Sequence, residues 1–186
     1  MLARLTEGQT QKIQIDEGIV VLNMGTSTEK ILGPTRGGVE FTSTPSIRDI
    51  EYDGRMGKTA GLQVKDGEDV ALKVSTLDCS QETLAMAIPN AVVDNTSKKI
   101  EQGSFGVIPT SKYVEKISVI TQMLDGKFKI LHVKNLLHED TFTFKTVQKS
   151  ENEHNLNLIA HYDYTDPTKK LWSIEDSDTN PVATGD

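Results

Sequence analysis

With a single cysteine, Cys79, in 186 residues, the chain has no means of forming an intramolecular disulfide or a cysteine set for zinc. Aromatic residues are also scarce, at 5% of the chain, which leaves a sugar-stacking surface poorly supplied. No run of about 18 apolar residues is present, and Thr6, Glu7, Gln9, Gln11 and Lys12 make the N-terminus too polar for the apolar region of a signal peptide. The expectation is a chain suited to a reducing cytosol, neither secreted through a signal nor embedded in a membrane. Basic residues are the minority, 20 against 27 acidic, and the net charge of −7 argues against a surface that grips nucleic acid by neutralising phosphates. That balance is compatible with repelling DNA.

The residues that are present suit one β-rich domain, 18–175, between an N-terminal arm, 1–17, and a small, polar, flexible C-terminal tail, 176–186. Val20, Leu22 and Met24 share one face of a mostly buried strand bounded by Gly18 and Gly25. A second strand starts at Val39 and runs toward Thr44, where Pro45 is expected to bend or end the pairing. Residues 53–69 combine four glycines with Arg55, Lys58, Lys65, Asp66 and Glu68, a composition that suits a long mobile loop. Val70, Leu72 and Val74 alternate with Ala71, Lys73 and Ser75, a half-buried strand facing the core on its even side.

Asp78 and Gln81 have capping-box spacing before a short helix stopped by Pro89, with Leu84 and Ile88 expected inward. Further strands are expected over 113–123, then after an Asp125-Gly126 two-residue hairpin over 127–133, and over 141–147, 155–164 and 170–174. About eight strands and one short flanking helix, without strand–helix alternation, give a mainly β fold: an antiparallel two-sheet sandwich or barrel-like domain.

The candidate chemistry is thin. Gly57-Lys58-Thr59 has the ending of a phosphate-binding loop, but the glycine required five residues earlier is Tyr52, and no helix pattern follows. His132, His138, His154 and His161 are scattered without metal-ligand spacing, and Asp66, Glu68 and Asp69 lack the twelve-residue spacing of a calcium loop. Ser104 in Gly103-Ser-Phe-Gly106 misses the nucleophile-elbow spacing by one residue. Cys79 has no histidine near it in sequence and reads as a small, partly buried residue. Asn95-Thr96-Ser97 fits a glycosylation acceptor that means nothing without a secretory signal. No catalytic, cofactor or metal site is expected, which leaves binding or assembly.

The run Ile31-Leu-Gly-Pro-Thr-Arg-Gly-Gly-Val-Glu-Phe41, continued by Ile47-Arg-Asp-Ile-Glu-Tyr-Asp-Gly54-Arg-Met-Gly-Lys-Thr-Ala-Gly-Leu62, resembles the tail tube proteins of phages and prophages of Gram-positive bacteria. Asp16-Glu17-Gly18-Ile-Val-Val-Leu22 and Ala71-Leu-Lys-Val-Ser-Thr-Leu-Asp78-Cys-Ser-Gln81 fit the same resemblance, which covers roughly Asp16 to Ile88. It implies a structural virion protein made in the bacterial cytoplasm, six copies to a ring and rings stacked into a hollow tube. Strands would pair across subunit borders, and a negative lumen would let DNA slide through without specific binding. Tape measure, tail tip and tail terminator proteins are the implied partners, with no membrane and no cofactor. Under this resemblance Glu40, Asp49 and Glu51 are candidates to face the lumen, and Arg55, Met56 and Lys58 to contact a neighbouring subunit or ring. Two other readings remain: a host- or carbohydrate-binding β-sandwich module, and the tube protein of a contractile injection system.

Overall fold

The structure, a computed structural model, describes residues 6–16 and 18–182. Parts of the expected arm (residues 1–5 and Glu17) and of the expected tail (183–186) lie outside these. The fold is mainly β, with antiparallel pairing throughout. In chain order the elements are α1 (Glu7–Thr10), β1 (Ile19–Leu22), β2 (Lys30–Ile31), β3 (Thr35–Asp49), β4 (Gln63–Thr76), α2 (Gln81–Met86), β5 (Val92–Asp94), β6 (Lys99–Glu101), a 3₁₀ turn (Thr110–Lys112), β7 (Val114–Gln122), β8 (Phe128–His138), β9 (His154–Ala160) and β10 (Trp172–Ser177). The main sheet runs β2-β1-β7-β8-β9-β4-β3, with β10 added on β8, and β5 and β6 form a separate hairpin.

What bends this sheet is β8. One of its edges is covered by β7, while the other is shared: β10 pairs with Phe128 to Val133 and β9 with Leu136 to His138. The split falls at Lys134 and Asn135, where the Lys134 amide donates to the Leu171 carbonyl at 2.9 Å and Asn135 accepts from the His161 amide at 2.9 Å. Asn135 has φ +53°, a left-handed conformation that asparagine tolerates better than most residues. The β9-β4-β3 wing thereby turns across the β1-β7-β8-β10 wing. One core cluster draws on both: Val20, Leu22, Ile117, Val119 and Val133 from one, Val70, Leu72, Val74, Leu156 and Leu158 from the other. Each fully buried aliphatic side chain contributes roughly 1.5–3 kcal/mol. Behind the first wing, Val21, Ile120 and Ile130 form a smaller cluster covered by Met24, Phe128 and Val182.

The alternation in β4 is as its sequence reads, with Val70, Leu72, Val74 and Thr76 buried. In several other places the structure departs from expectation. The 53–69 loop is shorter, because β4 begins at Gln63, and the connection is 50–62. Lys65 and Asp66 are compatible with a strand there because this part of the hairpin is solvated, and Glu68 because hydrogen bonds satisfy its carboxylate. Pro45 neither bends nor ends β3, since it pairs opposite Glu68 in an edge strand, where its missing N–H is not needed by a further neighbour. Residues 141–147 form no strand, and β9 ends at Ala160, leaving Tyr162 and Tyr164 exposed.

Two helices replace the expected single one. Ser80 rather than Asp78 caps α2, accepting from the Thr83 amide, and Thr83 and Ala87 are the buried residues instead of Leu84 and Ile88. The hairpin after β7 has a three-residue loop, Leu124 to Gly126, closed by the Gly126 amide on the Met123 carbonyl, with Gly126 at φ +83°. Neither terminus is free over its described length. The Ile15 amide donates to Gln122 and the Leu124 amide to Ile13, and β10 carries the chain to Ser177 before Val182 packs against the smaller cluster.

Leu158→Ala, at a position with no exposure between both wings, is expected to cost about 2–5 kcal/mol in denaturant unfolding. Gly126→Ala, which forces a side chain into left-handed backbone, is expected to cost about 1 kcal/mol, read as a lower midpoint with unchanged m-value.

Candidate assembly surface

All six candidate site residues lie on one element, the β3–β4 hairpin, but on different parts of it. Pairing of β4 with β9 stops at Ala71 with Ile159, so among the described residues Gln63 to Val70 has β3 as its only strand neighbour. Val70 is still in the core, so the strands of the hairpin project from the body beyond Glu68 by roughly 16 Å, at ~3.3 Å per residue. The other edge of β3 has no strand partner among the described residues. An extended row of free backbone groups on a fifteen-residue strand is a template for pairing with another chain.

A polar clamp fixes the root of the projection. Glu68, its side chain 13% exposed, receives hydrogen bonds from Lys65 at 2.5 Å, from the Ser43 hydroxyl and from Trp172 Nε1 at 3.0 Å. Trp172 in turn meets Phe41 edge-on, ring centroids 5.4 Å apart, so that β10 grips both strands of the hairpin. The Lys65 bond, followed by those from Ser43 and Trp172, holds the Glu68 carboxyl down at about 2. Beyond the clamp, Asp66 is an extra residue in β4, since Ser46 faces Gly67 but Ile47 faces Lys65, and Arg48 bonds its carboxylate at 2.9 Å. This bulge adds local twist where the ribbon leaves the body.

The three lumen candidates do not share a face. Glu40 is exposed on the side opposite Phe41, 3.8 Å from Lys73, in a groove of about 580 Å³ lined also by Arg36, Asp140, Asn155 and Asn157. Asp49, on the other side of β3, is turned inward to Arg55 at 3.7 Å and Lys58 at 4.0 Å. Glu51 lies past the strand end in the 50–62 connection and is exposed. Arg55 is likewise an internal member of the tip, reaching the Ile50 carbonyl at 3.4 Å, whereas Met56 is wholly exposed and Lys58 is 79% exposed. With Ile47, Ile50 and Tyr52 also exposed, the distal ribbon presents apolar side chains that the subunit itself does not cover.

Two side-chain groupings escape sequence reasoning. Cys79 is exposed rather than partly buried, and its Sγ lies 3.1 Å from Nε2 of His154, which is 3% exposed and has Phe144 stacked on its ring. Only the β4–β9 register, which places Thr76 beside His154, brings together residues 75 positions apart. His154 Nδ1 has no partner among the described residues, so the orienting third group of a nucleophilic triad is missing. Ser118, His132 and Glu175 form a chain of contacts at 2.8 and 3.1 Å across β7, β8 and β10. Ser118 has no exposure, so its hydroxyl cannot reach a substrate carbonyl, and the chain of contacts ties the three strands together. Among the described residues no group of three His, Cys, Asp or Glu is arranged to hold a metal, and no helix is long and apolar enough to cross a membrane.

The sequence matches no known family model and no curated protein.

The clamp has a pH signature. Because the folded-state value of Glu68 lies below its ordinary 4.5, its contribution is complete above about 4.5 and is lost as pH falls toward about 2. Glu68→Gln is expected to lower stability at pH 7 and to flatten the acid limb of a stability–pH profile in that window. Trp172→Ala removes the partner of both Phe41 and Glu68; for a half-buried ring the loss is expected near 2 kcal/mol, below the ~3–5 of a fully buried one.

Proposed function

We propose that this chain is the structural subunit of a bacteriophage tail tube, built as stacked, six-membered rings around an acidic lumen that passes DNA during ejection. The observation that carries this reading is the projecting β3–β4 ribbon, with an apolar tip and one edge of β3 without a strand partner among the described residues. A second copy that paired with this edge would satisfy the free backbone groups and cover Ile47 and Met56. The two wings meeting across one core serve in this reading as the two sheets of a sandwich, with α2 beside them.

The net charge of −7 supports a channel from which DNA gains nothing by binding. Glu40 and Glu51 remain candidates for the lumen because both are exposed, while Asp49 is engaged with Arg55 and Lys58. Met56 and Lys58 are the tip residues available to a neighbour, with Arg55 supporting them from within. Tape measure, tail tip and terminator proteins would be the heterologous partners. The role asks for no catalysis and no cofactor.

Negative-stain electron microscopy of the purified chain over a range of concentrations, paired with hydrodynamic mass, is expected to show rings or hollow tubes. Met56→Asp should shift assembly to at least tenfold higher concentration, the effect of about 1.4 kcal/mol per contact. A compact monomer that stays monomeric even when seeded with tail tip complexes would contradict the proposal and favour a host- or carbohydrate-binding module.

A further inference from the structure

We infer that the pocket between the open end of the β7–β8 hairpin and the segment before β10 is a binding site for a compact phosphate-type oxyanion with several negative charges. Lys116 and Lys134 stand directly opposite each other in the β7–β8 register. Like charges at such a pair oppose strand pairing, and here no carboxylate relieves them. The Lys134 amide, bonded to the Leu171 carbonyl at 2.9 Å, brings Lys170 alongside. These three lysines line one pocket of about 470 Å³, and among the described residues none of them forms an ion pair, in a chain whose net charge is −7.

The acidic groups at the pocket do not balance this charge. Asp163 is committed to Lys169 at 2.9 Å and to Thr165, and with Glu115 also in the lining four lysines meet two carboxylates there. Asn23 also lines the pocket, with left-handed backbone at φ +49°. The ammonium groups make point-charge donors around a concave space. They suit an anion that offers oxygens in several directions better than a planar carboxylate, which favours the paired N–H groups of arginine. The overall acidity of the chain disfavours a long polyanion lying across the surface, so the ligand is compact.

The test is thermal unfolding of the full chain at low ionic strength with millimolar pyrophosphate, against sodium chloride of matched ionic strength. Pyrophosphate is expected to raise Tm by about 3 °C more than chloride does. Lys134→Gln should raise Tm without ligand, because the cross-strand repulsion is gone, and should lose most of the pyrophosphate response. Lys127→Gln, whose lysine pairs with Asp178 elsewhere, should keep it. A pyrophosphate response no larger than that to chloride would overturn the proposal, as would an undiminished response in a Lys116→Gln/Lys134→Gln double variant. A larger response to a short single-stranded oligonucleotide than to pyrophosphate would also overturn it, assigning the lysines to nucleic acid.

Discussion

The shared edge of β8 is the constraint on which the rest depends. A strand has one hydrogen-bonding row on each edge, and β8 gives the first part of one row to β10 and the last part to β9. The two strands cannot continue side by side beyond Asn135, so each carries its neighbours in a different direction, and the space they enclose becomes the core. The same split puts Trp172, at the start of β10, beneath the β3–β4 hairpin, where it meets Phe41 and Glu68. The hairpin is thus held at its root and extends free of other strands beyond it. A structured body with a fixed, protruding ribbon follows from one divided row of backbone groups.

Much of this was legible in the residues, and what was not has identifiable causes. The alternation Val70, Leu72, Val74 reads plainly because one face of β4 is buried and the other is wet. The distal part of the same strand has no alternation of apolar residues, so Lys65, Asp66 and Glu68 resemble a loop, and only pairing with β3 reveals them as strand. Pro45 misleads for a related reason: its effect depends on whether β3 has a neighbour on each side, a tertiary fact. The sequence 141–147, with Phe142 and Phe144 in alternation, lacks a strand to pair with, and the Phe144 ring is used instead to stack on His154. The contact of Cys79 with His154, 75 positions apart, carries no local signal, whereas the pairing of Lys116 with Lys134 was missed by one position because the hairpin loop has three residues rather than two.

The candidate surface residues were found in the right element but with their roles mixed. Glu40, Asp49 and Glu51 alternate poorly because they straddle the end of a strand, and the arrangement spends Asp49 on holding the tip together. Uncovered apolar side chains occur on the body as well, Phe105, Val107 and Tyr164 among them, so what sets the ribbon apart is an apolar tip combined with a strand edge that has no strand partner among the described residues. For the proposed tube subunit that combination supplies the adhesive element.

The central claim is that the unpaired edge of β3 and the tip beyond it are covered by another copy of the chain. Residue-resolved hydrogen exchange of dilute and concentrated protein tests it most directly. The account predicts that the outward-facing amides of β3 and the amides of residues 50–62 exchange quickly in the dilute state and gain protection on assembly, while the already paired strands β7 and β8 change little. Equal exchange of β3 and the tip in both states, in protein that has demonstrably assembled, would place the contact elsewhere and contradict it.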